Sequence, residues 1–164
     1  MNAIPYNRNA AIEYARTWAF SRNPYYYDFS DIGGDCTNFV SQALVAGGMP
    51  MNFANPMGWY YRNLDDRAAA FTGVKYLYNF LTRQNVSTGP FATEVPIYKA
   101  EPGDIIQLSF DGENWAHSLL IVAQNPNNPT DPFTATHSED SFGRLLSSYP
   151  FKRKRVLHIL GGYY

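Results

Sequence analysis

One cysteine and three histidines hold most of the reactive chemistry in this chain. Cys36 is the only cysteine among 164 residues. It stands in Gly33-Gly34-Asp35-Cys36-Thr37-Asn38-Phe39-Val40-Ser41-Gln42, where a glycine pair meets a short polar residue and an apolar stripe of Phe39, Val40, Ala43 and Leu44 follows. That is the pattern of a loop turning into an amphipathic helix, with Asp35 as its candidate N-cap. Cys36 then falls in the first turn, where unpaired backbone N–H groups and the helix dipole favour negative charge. Such a seat lowers a thiol pKa from about 8.5 into the range of about 3.5–7.5, which suits a nucleophile. A lone cysteine more commonly serves as a small buried hydrophobe, so nucleophilic chemistry depends on finding a base.

His117 opens the apolar run Ala116-His117-Ser118-Leu119-Leu120-Ile121-Val122-Ala123, and His137 closes Phe133-Thr134-Ala135-Thr136-His137. Adjacent strands would set the two rings side by side, with His117 as base and His137 as the group that orients it. Two unrelated surface histidines fit the spacing equally well. His158, inside Val156-Leu157-His158-Ile159-Leu160, is placed as a core or edge histidine. Zinc ligation by Cys36, His117 and His137 lacks a CxxC, an HxxxH or a local fourth ligand, so no metal or other cofactor is expected.

The elements that would position these groups read as helices first and strands second. A helix is predicted from Asn9 to Phe20, ending at Asn23-Pro24, followed by the aromatic loop Tyr25–Phe29. The Cys36 helix stops at Gly47-Gly48, Met49–Arg67 reads as a surface loop or lid, and a third helix spans Val74–Gln84. Strands follow at 104–110, 116–123, 133–137 and 156–160, with Asp111-Gly112 as a hairpin signal. The order predicts an α+β domain over residues 1–164. Composition agrees, at 45% hydrophobic and 16% charged residues. A net charge of −1 and a pI near 6.3 remove the general electrostatic basis for a nucleic-acid partner. Lys152-Arg153-Lys154-Arg155 runs straight into apolar residues and reads as the solvated start of a strand. One cysteine forms no internal disulfide, and no run approaches the roughly 18 apolar residues of a membrane span. Met1–Asn9 lacks the apolar core of a secretory leader, so the protein is either not exported or a piece of a longer exported chain. A monomer is expected. The 13 Tyr, 11 Phe and 3 Trp suit a cleft for polar, partly ringed ligands, and equally suit core edges.

Gly34-Asp35-Cys36-Thr37-Asn38-Phe39-Val40-Ser41-Gln42-Ala43-Leu44 resembles the nucleophile motif of the putative amidase domain of Gram-positive bacteria, a family related to NlpC-type cell-wall peptidases and more distantly to papain. Tyr6–Ala15, Ala46–Met51, Trp59-Tyr60, Glu101–Gln107 and Ala116–Val122 extend the resemblance over most of the chain. It implies a papain-like (NlpC-type) α+β fold, with the nucleophile helix packed on a small antiparallel, partly barrelled sheet. It also implies hydrolysis of an amide in peptidoglycan or a peptide, by an extracellular or cell-wall protein if the chain is exported. In that scheme Cys36 is the nucleophile, His117 the base and His137 the third polar member, with Ser138, Glu139 and Asp140 as alternatives. Pro24-Tyr25 resembles the family's Pro-Tyr beside the oxyanion site, with Tyr26 and Tyr27 competing for the role. Asp35, Trp59 and Tyr60 are assigned to the oxyanion and substrate-binding surroundings. A thiol acyltransferase or transamidase would share Cys36 and His117, and a non-catalytic cell-wall binding module could share the fold.

Overall fold

A computed structural model describes residues 1–164. Helix α1 (Arg8–Trp18) begins at Asn7, whose side chain accepts the Ala10 N–H at 3.0 Å. It buries Ala11, Ile12 and Ala15, and it stops before Phe20, which is left exposed. Helix α2 (Cys36–Ala46) is buried continuously from Cys36 to Leu44, so it is a central helix rather than an amphipathic surface one. Its polar residues are satisfied inside: Ser41 Oγ accepts the Trp59 indole N–H at 3.1 Å, and Gln42 Oε1 accepts the Tyr14 hydroxyl at 2.5 Å. Two shorter helices follow, α3 (Ala69–Thr72) and α4 (Val74–Leu81), the second burying Leu77, Phe80 and Leu81.

The strands are β1 (Ala3–Ile4), β2 (Tyr61–Asn63), β3 (Asp66–Arg67), β4 (Gly89–Val95), β5 (Ile105–Ser109), β6 (His117–Ala123), β7 (Phe133–Thr136), β8 (Ser141–Leu145) and β9 (Arg153–Tyr163). Seven form one sheet in the order β1-β9-β5-β6-β7-β8, with β4 also on β9; β2 and β3 form a separate hairpin. Every pairing is antiparallel. The architecture is therefore α+β with a mostly antiparallel sheet.

Strand alternation sorts the core. Ile105, Leu120 and Leu157 join the main cluster with the helices, while Ile106, Leu119 and Val156 join a second cluster on the other face with Leu146 and Tyr149. Apolar residues on both faces explain why these strands read as unbroken hydrophobic runs. Helix α2 lies over β6 and β7 on the first face.

Three expectations need correction. Met49–Arg67 is not a lid: Met49, Trp59, Tyr60 and Tyr61 are buried, and the segment closes into the β2–β3 hairpin. Helix α4 ends at Leu81 rather than Gln84, and the Thr82 hydroxyl bonds back to the Tyr78 carbonyl at 2.8 Å. The last strand is far longer than Val156–Leu160 because Gly161 and Gly162 continue it; a Cβ on either would come within 2.7 Å of a neighbouring backbone oxygen, of Ile4 and Gly89 respectively.

The Pro102-Gly103-Asp104 turn is tied down by one buried carboxylate. Asp104 accepts from Arg8 at 2.8 Å and from the Ile159 and Glu101 N–H groups at 3.0 and 2.9 Å, and it pairs with His158 Nδ1 at 2.9 Å. His158 is thus part of a clasp joining α1, the turn before β5, and β9.

Candidate active site

The loop leading to Cys36 is built around the carboxylate of Asp35, which is almost fully buried and occupies the N-cap position without bonding to helix N–H groups through its side chain. Its Oδ1 accepts the Phe29 N–H at 2.9 Å and the Asn38 side-chain amide at 3.0 Å. Its Oδ2 lies 2.5 Å from His137 Nδ1. The other ring nitrogen, Nε2, is 2.8 Å from the Trp18 carbonyl. A carbonyl only accepts, so Nε2 carries a proton, and the bond to Asp35 holds a second proton between the carboxylate and Nδ1. The ring also packs 4.2 Å from Phe39. Asp35 and His137 thereby tie the end of α1 to the start of α2.

Both His137 nitrogens are engaged by Asp35 and Trp18 rather than by His117, and Asp35 is buried beneath Cys36.

Cys36 is the first residue of α2, and its amide N–H has no partner within the helix. Its sulfur sits 3.9 Å from Thr37 Oγ1 and beside the backbone N–H of Ser118, the residue after His117. Burial pushes the thiol pKa up, against the downward pull of the Ser118 and Thr37 groups; the nearby Asp35 charge adds to the rise. The expected depression by the helix terminus is therefore outweighed, and the resting sulfur is a thiol.

His117 opens β6, with its ring about 7% exposed between Tyr149 and Phe110, at centroid distances of 5.6 and 6.2 Å. No protein group hydrogen-bonds its nitrogens, and the ring lines a cavity of about 360 Å3 together with Ser138, Glu139 and Arg144. Burial, helped by the Arg144 cation and opposed by Glu139, pushes its pKa down to about 4. The imidazole is neutral at pH 7 and free to accept a proton. Ser138 and Glu139 have φ of 80° and 51°, two consecutive left-handed non-glycine residues at the cavity rim. A Cβ on Gly34 would lie 3.7 Å from Ser138 Oγ, so the loop before Cys36 reaches the same rim.

Behind the thiol runs a polar chain that sequence reasoning missed. Thr37 Oγ1 meets Ser118 Oγ at 3.0 Å, and Gln107 Nε2 donates to Ser118 Oγ at 3.3 Å and to the Val74 carbonyl at 2.9 Å. Gln107 Oε1 accepts from Arg155 Nε and Nη2 at 2.9 and 2.6 Å. Arg155 in turn stacks 3.6 Å over Tyr78 and 4.1 Å over Trp115. The available signal was Gln107 itself, a polar residue in the middle of Ile105-Ile106-Gln107-Leu108.

The remaining assigned residues scatter. Trp59 is a core residue packed between Phe71 and Phe80, not a groove wall. Tyr60 is buried over its ring, and its hydroxyl donates to Asp66 at 3.0 Å, bracing the β2–β3 hairpin. Tyr25 is 69% exposed, edge-on to Tyr26, with no hydrogen bond to Cys36. Asp140 is paired with Arg22 at 2.8 Å. No three His, Cys, Asp or Glu side chains are grouped to hold a metal ion.

The chain is similar to Uncharacterized protein YhbB of Bacillus subtilis (strain 168), at 34% identity over 150 residues, covering 88% of this chain and 45% of that protein. It thus spans less than half the length of this relative. No solved structure matches. The model of the putative amidase domain matches residues 5–160, which include Cys36, His117 and the Asp35–His137 and Asp104–His158 pairs, and the chain belongs to that family, whose description points to an amide hydrolase.

Proposed function

We propose that the protein is a cysteine-dependent amide hydrolase with a papain-like, NlpC-type arrangement, acting on amide bonds of bacterial peptidoglycan. The observation that carries this is the placement of Cys36 Sγ against the first residues of β6, where His117 presents an unbonded neutral imidazole to an open cavity. The acyl-transfer sequence starts from a thiol and an imidazole. His117 turns from its seat beside Tyr149 to take the Cys36 proton as the sulfur attacks the amide carbonyl. The unpaired N–H of Cys36, at the positive end of α2, faces the developing oxyanion. Protonated His117 then gives its proton to the departing amine, and water, deprotonated by His117, cleaves the thioester to release the acid. Glu139 beside the ring favours the transient imidazolium. Tyr25, exposed on the loop before α2, is available to meet the substrate from the solvent side.

The test is incubation with purified peptidoglycan, reading new amino groups and released fragments by mass spectrometry. Cys36→Ala and His117→Ala are each expected to abolish release while remaining folded. Release that persists in Cys36→Ala removes thiol chemistry. Transfer to an added amine in place of hydrolysis makes the protein a transamidase. Binding to the polymer with no release in the wild type leaves a binding module.

A further inference from the structure

The cavity against His117 holds one cation whose geometry is more specific than charge alone requires. Arg144 lies on β8, its backbone fixed by the Thr134 hydroxyl, which donates to the Arg144 carbonyl at 2.9 Å. Its guanidinium lies 3.8 Å from the centre of the Tyr149 ring. One edge is occupied: Nε donates to Ser148 Oγ at 2.7 Å and Nη2 to the Ser148 carbonyl at 3.3 Å. The remaining edge, ending in Nη1, meets only Glu139 Oε2 at 3.3 Å. The two partners differ sharply in freedom, since the Arg144 side chain is 27% exposed and that of Glu139 is 87% exposed. A fixed planar fork faces a carboxylate on a loose arm, and a fork of this kind matches a carboxylate with two parallel bonds.

We propose that Arg144 receives a free carboxylate of the substrate, so that the enzyme acts on amides in peptides that carry a terminal carboxylate close to the scissile bond, with Glu139 occupying that place until the substrate arrives. This rests on the hydrolase reading for the chemistry, though the binding event stands alone. The cavity, at about 360 Å3, has room for about a dozen waters, enough for the end of a peptide. Phe110 and Pro150 give it apolar walls, and His117 lies on its other side.

The test uses N-acetyl-alanyl-alanine and its C-terminal amide as probes. Binding is read from the His117 ring signals in NMR and from protection of Cys36 against iodoacetamide. The acid is expected to half-saturate at a concentration about tenfold below the amide, a difference of about 1.4 kcal/mol. Arg144→Gln is expected to erase that difference, and Glu139→Gln to strengthen binding of the acid several-fold by removing the internal competitor. Because Arg144 also braces Ser148, Arg144→Gln is first checked for an unchanged melting transition; Glu139→Gln, at an exposed position, carries the test if that variant unfolds. Equal binding of acid and amide by the wild type, no binding of either probe, or no response to Glu139→Gln overturns the proposal. Peptidoglycan release lost in Cys36→Ala alongside equal probe binding retains the hydrolase and discards the carboxylate site. The reverse pattern discards the hydrolase alone.

Discussion

Replacing His137 by alanine strands a buried carboxylate, and the cost can be worked from its surroundings. Asp35 and His137 are each 1% exposed and share a 2.5 Å bond. Removing one member of such a pair costs about 3–5 kcal/mol, because the remaining charge has neither water nor partner. Two features place the cost at the lower end. Asp35 Oδ1 keeps its bonds from Phe29 and Asn38, and Arg22 Nε lies only 3.7 Å from Oδ2. About 3 kcal/mol is expected, a fall in Tm of about 6–12 °C for a chain of this size.

Asp35→Asn behaves differently. The amide oxygen can keep the two Oδ1 bonds while its NH2 donates to an unprotonated Nδ1, and Nε2–H still reaches Trp18. That substitution should cost about 1 kcal/mol, the scale of one ordinary hydrogen bond. In the His137→Ala background, Asp35→Asn removes the stranded charge and should restore stability, giving a coupling of about 2 kcal/mol by double-mutant cycle in urea denaturation. Additive costs, or a His137→Ala penalty below about 1 kcal/mol, would show that charge burial does not hold this loop. Were His137 instead the orienter of His117, the variant would lose turnover at unchanged stability, an outcome the same two measurements detect.

Three further outcomes follow from the site. The pKa of His117 in the folded protein, about 4, lies below its ordinary 6.5, so the unfolded chain binds more protons between these values and stability rises with pH across that window. The gain approaches about 3 kcal/mol at about 1.4 kcal/mol per unit; denaturation of the wild type and His117→Asn from pH 4 to 7 should show the slope only in the former. Alkylation of resting Cys36 by iodoacetamide should be slow at pH 7 and accelerate only in alkaline solution, since burial raises the thiol; rapid labelling at pH 6–7 contradicts a neutral pair. Asp104→Ala strips partners from Arg8, His158 and two backbone N–H groups and should cost at least about 3 kcal/mol in thermal denaturation, whereas a loss below about 1 kcal/mol denies the clasp its role.

The sequence carried the elements whose signals are local. The start of α2 at Cys36 followed from Gly-Gly-Asp and the apolar stripe, and β5, β6 and β7 followed from their apolar runs and flanking turns. What it could not carry were contacts closed over long separations. Strand β4 begins at Gly89-Pro90, which reads as a break; it exists because all seven of its residues find partners on β9. His137 lies one residue past a strand end, and nothing local indicates that its ring turns toward Asp35, 102 positions earlier. Trp59 sits among Pro, Asn and Gly residues that suggest a surface loop, while the indole finds its partner in Ser41, in the middle of α2. Pro-Gly-Asp was legible as a turn, but the clasp made by Asp104 became visible only with Arg8 and His158 in place.

The thiol shows how magnitudes decide between a motif and its setting. A helix N-terminus stabilises a charge by about 0.3–1 kcal/mol, and by about 2 kcal/mol where partly buried. At Cys36 burial is the largest influence and raises the thiol, against the pull of the Ser118 and Thr37 groups. His117 is held down to about 4 by burial and the Arg144 cation, so both partners rest uncharged. In the proposed reaction the proton would move as the sulfur attacks, with no preformed thiolate–imidazolium pair. In this cavity the charged groups that act on His117 are Arg144, which lowers its pKa, and Glu139, which raises it, so a ligand that parted them would shift the proposed base.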